Sequence, residues 1–171
     1  MDAEKLRAVQ APLKERYRED PQAAIVTLSA NGELGDGISC SVRAGSALAA
    51  AGLHPASGGD GTLLCSGDML LEALVACAGV TLRAVSTSLG VPVEAGTVSA
   101  EGDLDFRGTL AVSKEAPVGF RAIRLRFDLV SPASAEDLDA VLRLTECYCV
   151  VLQSLLHSPD TTMSYELGHG T

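Results

Sequence analysis

Five cysteines, Cys40, Cys65, Cys77, Cys147 and Cys149, carry the most distinctive chemistry in this chain of 171 residues. A thiolate is both a nucleophile and a metal ligand, and its reactivity follows its pKa. Their odd number, in a chain that opens on charged, helix-forming residues rather than a secretion leader, argues against a disulfide scaffold. That leaves reduced core residues, metal ligands or redox-active groups. Cys147-Tyr-Cys149 lacks the usual spacing of a closed zinc site, and the three histidines are scattered, so no metal is expected. No C-x-x-C occurs, which removes a thioredoxin-like motif.

Two thiols then stand out: Cys77, midway along a long apolar segment, and Cys149, at a helix start where amide dipoles lower a thiol pKa. Brought together, such a pair can run a peroxidatic and resolving cycle. One thiolate attacks a peroxide oxygen and becomes a sulfenic acid, and the second condenses with it to a disulfide. Apolar surroundings suit an organic hydroperoxide better than a small polar one. The alternative is that Cys77 is simply a small buried hydrophobe.

The element that must position Cys77 is a helix from Ser66 to Gly90. Ser66 is a capping residue, Asp68 places an anion in the first turn, and Gly90 with Pro92 supplies the stop. Met69, Leu70, Leu71, Leu74, Val75, Val80, Leu82, Val85 and Leu89 point around the whole helix. A helix apolar on every side requires cover on every side. Glu72 and Arg83, its charges beyond the first turn, are expected at a rim or with partners.

Before it, Ala3 to Asp20 reads as a polar helix with Leu6, Val9, Leu13 and Tyr17 on one face and a kink or split at Pro12. Ala23–Ser29 and Gly37–Arg43 read as the strands of a hairpin turning at Asn31-Gly32, with Cys40 packed in the second. Ala44–Leu53 is ambiguous. The run from His54 to Gly61 is a glycine-containing loop without the Gly-Lys-Ser/Thr ending of a phosphate site.

After it, Val91–Phe106 and Phe120–Val130 read as strands, the second alternating Ile123, Leu125, Phe127 and Leu129 inward with Arg124, Arg126 and Asp128 outward. Ser134 caps a helix that runs toward Cys147, and Val150–Leu156 begins or continues a further one. Thr161–Leu167 is expected as a last edge strand. The order predicts an α+β fold, one domain over residues 1–171, with a largely antiparallel sheet around a buried central helix and a helical segment over 1–20.

A net charge of −9 and the lack of a Lys/Arg cluster exclude a nucleic-acid footprint or an anionic membrane surface. No other uncharged apolar run is long enough to span a membrane, and the central helix carries Asp68, Glu72 and Arg83. A water-soluble cytoplasmic protein is the expectation.

The run Ser66-Gly-Asp-Met-Leu-Leu-Glu-Ala-Leu-Val-Ala-Cys77 resembles the central-helix signature of the OsmC/Ohr family, the osmotically induced and organic hydroperoxide resistance proteins. Thr145-Glu-Cys-Tyr-Cys149-Val-Val-Leu-Gln153-Ser-Leu is similar to that family's second-cysteine motif, and Val98–Gly108 and Gly119–Leu125 to its intervening strands. The resemblance, toward the OsmC-like branch, spans Ala23 to Leu167. It implies an OsmC-like fold, an intertwined homodimer with sites at the subunit interface, a peroxidatic Cys77 and a resolving Cys149. It also implies an organic hydroperoxide substrate, a dithiol reductant such as a lipoylated protein, and no metal or organic cofactor. Cys147 falls where the family has no required cysteine.

Two departures accompany it. The family's glutamate, ten residues before the first cysteine, is replaced by Gly67, with Asp68 one residue later, and the tip Ser29–Gly37 lacks the family's hairpin arginine. Asp68 is the candidate substitute carboxylate or only a first-turn dipole partner, and nine residues at about 100° each place it opposite Cys77 on an ideal helix. Arg18, Arg43 and Arg83 are the candidate cations. The departures define a second reading: a non-enzymatic module of the same fold that binds a small apolar ligand or a protein partner, its cysteines structural.

Overall fold

The computed structural model describes residues 2–25, 27, 31–34, 39–44 and 47–167, with backbone only over most of 31–48. Helix α1 covers Ala3–Glu19, capped by the Asp2 carboxylate, which accepts from the Lys5 N–H at 2.8 Å. Pro12 lies inside α1 without dividing it. A 3₁₀ turn, Pro21–Ala24, follows where a strand was expected. Pro21 at its start pre-sets the backbone angle, and the Asp20 carboxylate accepts from the Gln22 N–H at 3.0 Å, so local capping outcompetes strand propensity.

The hairpin exists with a different first strand. Strand β1 is Asn31–Leu34, antiparallel to β2, Ser39–Ala44, with Asn31 opposite Arg43 and Leu34 opposite Cys40. Asn31-Gly32 is therefore in the strand and is not the turn. The rest of the expected first strand, residues 26 and 28–29, and the connection 35–38 lie outside the described residues. The ambiguous alanine-rich segment is β3, Ala47–Gly52, antiparallel to β2, and β4, Leu64–Cys65, adds a short parallel pairing that completes one four-stranded sheet.

Helix α2, Ser66–Leu89, starts one residue earlier than its capping serine suggests: Cys65 holds the cap position and Ser66 the first helical turn. Gly90 ends it at φ 71°, the left-handed conformation that glycine takes without steric cost. By length and mean hydropathy α2 alone would suit a membrane. It packs instead on the second sheet, strand β5 (Ala95–Leu104) paired antiparallel with β6 (Phe120–Val130), and on the later helices. A single helical turn, α3, Phe106–Thr109, interrupts the loop between β5 and β6.

Helix α4, Ala135–Tyr148, and helix α5, Val150–Leu156, close the body. The core has two centres: Leu82, Val85, Val93 and Val141 at one end of α2, and Leu74, Ala78 and Cys149 at the other. Only one stripe of α2 is thus buried within the chain, while Val80 is 72% exposed, Leu89 47% and Leu70 38%. The expected strand over Thr161–Leu167 does not form, and Met163, Tyr165 and Leu167 lie open to solvent.

Candidate functional site

Cys77 stands in the middle of α2, half-buried, one position before the fully buried Ala78. Cys149 reaches it from the junction between α4 and α5. There the backbone leaves the helical region for one residue, φ −75° and ψ 104°, and returns at Val150. The break is held from both sides. The Cys149 N–H donates to the Thr145 carbonyl at 2.9 Å, and the Gln153 N–H to the Cys149 carbonyl at 2.9 Å. The Gln153 side-chain amide donates to the Glu146 carbonyl at 2.8 Å, occupying an acceptor near the end of α4.

This geometry seats Cys149, 0% exposed, among Leu74, Ala78, Cys77, Val98, Ala100, Ile123, Leu125 and Phe127. It also leaves the first amide groups of α5 without helical partners, as at any helix start. Those groups serve Cys77. Burial pushes the Cys77 thiol up, but the Val151 N–H, the Cys149 thiol, the Thr81 hydroxyl and the Val150 N–H together outweigh it, and its pKa lies below the ordinary thiol value.

Cys149 moves the other way. Burial raises its pKa, the Leu152 and Val151 N–H groups oppose that, and the sulfur and charge of Cys77 raise it further. The expectation that the helix start would acidify Cys149 is corrected here: the dipole is present, but burial and a neighbouring anion outweigh it, and the benefit goes to Cys77. The pair is one thiol whose pKa is lowered beside one whose pKa is raised. Only a structure reveals that division, because Val150 and Val151 are apolar residues acting through their backbone.

The other residues singled out in the sequence stand elsewhere. Asp68 lies in the first turn of α2 and borders a separate groove with Leu71, Glu72, Val75, Ala76 and Ala100, so it does not take the place of an activating carboxylate at Cys77. The physical reason is the helix itself, which sends residues 68 and 77 to opposite sides. Gly67 is turned toward Phe120 and Leu104, apolar company for any side chain placed there.

Arg18 is paired with Glu15 at 2.7 Å, Arg83 donates to the Val93 carbonyl, and the Arg43 side chain is outside the described residues. Among the described residues no cationic side chain acts on Cys77. Cys147 is exposed and borders a shallow groove with Tyr148, Val150, Gln153, Ser154 and His157, while Cys65 caps α2; neither acts on the pair. No three His, Cys, Asp or Glu side chains converge among the described residues.

One groove borders Cys149 and a second borders Thr81. One of about 470 Å³ lies between α4 and β6, lined by Leu125, Phe127, Leu142, Thr145, Cys149 and Leu152 with Asp139, Arg143 and Glu146 at its rim. The other, about 550 Å³, lies between α1, α2 and α4, with Leu6, Lys14, Val80, Thr81, Leu144 and Tyr148 among its walls.

The fold is shared with solved structures of low sequence identity. An OsmC-like protein from Mycoplasma pneumoniae superposes with a TM-score of 0.67 at 14% identity, over 78% of this chain and 89% of that one. An organic hydroperoxide resistance protein from Elizabethkingia anophelis gives 0.64 at 13%, over 79% and 91%. One from Legionella pneumophila gives 0.61 at 15%, over 78% and 92%. No curated protein matches the sequence. The OsmC-like protein family model matches residues 59–164, the span that holds both motif cysteines and every element around them, and the chain belongs to that family.

Proposed function

We propose that this protein is a thiol-dependent peroxidase that reduces organic hydroperoxides through Cys77, with Cys149 as resolving thiol. The observation that carries the reading is the meeting of Cys77 and the fully buried Cys149 in one apolar cluster, whose surroundings push the Cys77 pKa down and the Cys149 pKa up. A low-pKa thiol supplies the nucleophile, and a neighbour that keeps its proton supplies an acid. The Cys77 thiolate attacks the terminal peroxide oxygen, the O–O bond breaks, and the alkoxide leaves with the Cys149 proton as an alcohol. Cys77 is then a sulfenic acid and Cys149 a thiolate. The thiolate attacks the Cys77 sulfur, the S–O bond breaks, and hydroxide leaves, forming the disulfide. A dithiol, such as a lipoylated protein, restores both thiols by exchange and is itself oxidised to a disulfide.

The naming of two fold relatives as organic hydroperoxide resistance proteins supports this reading. The exposed Leu70, Val80 and Leu89 on α2 support a homodimer, since a second copy would cover the faces that this chain leaves bare. Free thiols at this pair are suited to the reducing cytoplasm.

The test is a thiol count by intact mass before and after one equivalent of cumene hydroperoxide, in the wild type, Cys77→Ser and Cys149→Ser. Loss of two protons in the wild type alone, with a trappable sulfenic acid in Cys149→Ser, is the expected result. Unchanged mass in all three refutes the peroxidase. It would favour a non-enzymatic module for a small apolar ligand or protein partner, a reading supported by the missing cation at Cys77 among the described residues.

A further inference from the structure

Helix α1 lies against α2, and the space between them is not filled. On α2 the floor of that space is Thr81, Ala84 and Ser88, which at spacings of three and four share one face of the helix and are all small. Leu6 on α1, Leu144 on α4 and the neighbouring Val85 and Leu89 wall it with hydrocarbon. The groove of about 550 Å³ that results is within the range of roughly 300–1,000 Å³ typical of small-molecule sites. From Thr81 to Leu89 it follows about 12 Å of α2, eight steps of about 1.5 Å.

The polar groups of the groove are few and unequal. Gln10, Ser88 and Tyr148 supply neutral donors and acceptors, and Lys14 on α1 is the one charged residue in the lining. No carboxylate borders it, in a chain whose net charge is −9. Apolar walls with a single cation at their edge complement a ligand with a hydrocarbon body and one anionic head.

We propose that the groove between α1, α2 and α4 binds an amphiphile with a single negative head group, a medium-chain carboxylate being the simplest, its chain along Thr81, Ala84 and Ser88 and its head at Lys14. The site goes beyond the peroxidase reading and does not rest on it, since Cys77 is not part of the lining. Helix α1 lies outside residues 59–164, so the wall that carries Lys14 is this chain's own addition to the span that the family model matches. Val80 forms the open lip of the groove, where a second copy would close it over its occupant.

The probe is decanoate, with decanol and decylamine as neutral and cationic counterparts of the same length, each titrated into the intact protein by calorimetry. Decanoate should bind with one molecule per chain, and decanol about twofold to fivefold more weakly, the scale of an exposed ion pair. Decylamine should bind most weakly. Lys14→Gln should abolish the difference between decanoate and decanol, and Lys14→Glu should reverse the order in favour of decylamine. Ala84→Leu raises the floor into the groove and should weaken all three by more than about tenfold, with thermal unfolding as the control for fold.

Absence of decanoate binding overturns the proposal, and so does a preference for decanoate over decanol that survives Lys14→Gln. Wild-type affinity in folded Ala84→Leu places the ligand elsewhere and overturns it as well. If Ala84→Leu does not fold, Leu6→Asn tests the opposite wall by the same measure. The Lys14 variants change an exposed residue and decide the head-group claim on their own. No peroxide enters these titrations, so loss of binding and failure of the peroxidase reading are separate results.

Discussion

Cys149 meets Cys77 with its own sulfur fully covered, and the two thiols titrate in opposite directions from their ordinary value. The sign fixes the order of ionisation. As pH rises, Cys77 is expected to lose its proton first, its pKa being lowered, and its charge then to hold the Cys149 proton to higher pH. Peptide-resolved alkylation across pH 5 to about 10 should label Cys77 early and Cys149 last. The Cys149 thiol is one of the groups holding Cys77 down, so Cys149→Ala should move the Cys77 midpoint upward; an unmoved midpoint would show that the two sulfurs do not communicate.

The carboxylate that the sequence offered as an activator yields a contrasting prediction. Asp68 sits on the far side of α2 in its first turn, where an anion complements the helix dipole. Asp68→Asn should leave the Cys77 alkylation midpoint in place and lower stability to chemical denaturation by less than about 1 kcal/mol. A midpoint that rises with Asp68→Asn would bring Asp68 back into the site.

How much of this was legible in the sequence differs by element. α2, β6 and α4 declared themselves, because caps, stops and alternation are local signals and each of these elements is decided locally: Gly90, the Ile123 to Leu129 alternation, and Ser134 accepting from the Asp137 N–H at 3.1 Å. The two motif cysteines could be named, but not their division of labour. That division depends on a one-residue break at Cys149, and the residues around it, Tyr148 and Val150, are neither glycine nor proline and carry no breaker signal. The first strand begins later than expected because Asp20 and Pro21 start a 3₁₀ turn whose Gln22, Ala23 and Ala24 favour helical over extended backbone. Thr161–Leu167 has strand composition but pairs with no strand among the described residues.

Leu74 tests whether the cysteine cluster is a true structural centre. It is 0% exposed and packs in the same cluster as Ala78, Cys149 and the inner faces of β5 and β6. Leu74→Ala should cost about 2–5 kcal/mol in denaturant unfolding, the range for a large-to-small change in a closed core. A cost under about 1 kcal/mol would mean that the site collapses freely and that Cys149 is not rigidly held.

The bare faces of α2 give the last prediction. A 24-residue helix apolar on every side is stable in water only if every side is covered, and this chain buries the Leu74, Ala78, Leu82 and Val85 stripe while Val80 remains 72% exposed. The homodimer proposed above would supply that cover. On that account Val80→Glu places a charge in a desolvated interface, where an unpaired carboxylate is strongly disfavoured. Sedimentation of the wild type should report a dimer at micromolar concentration, and Val80→Glu should shift the population toward monomer at least tenfold. If the wild type sediments as a monomer at high concentration, Val80 is an isolated exposed residue and the interface lies elsewhere or does not form.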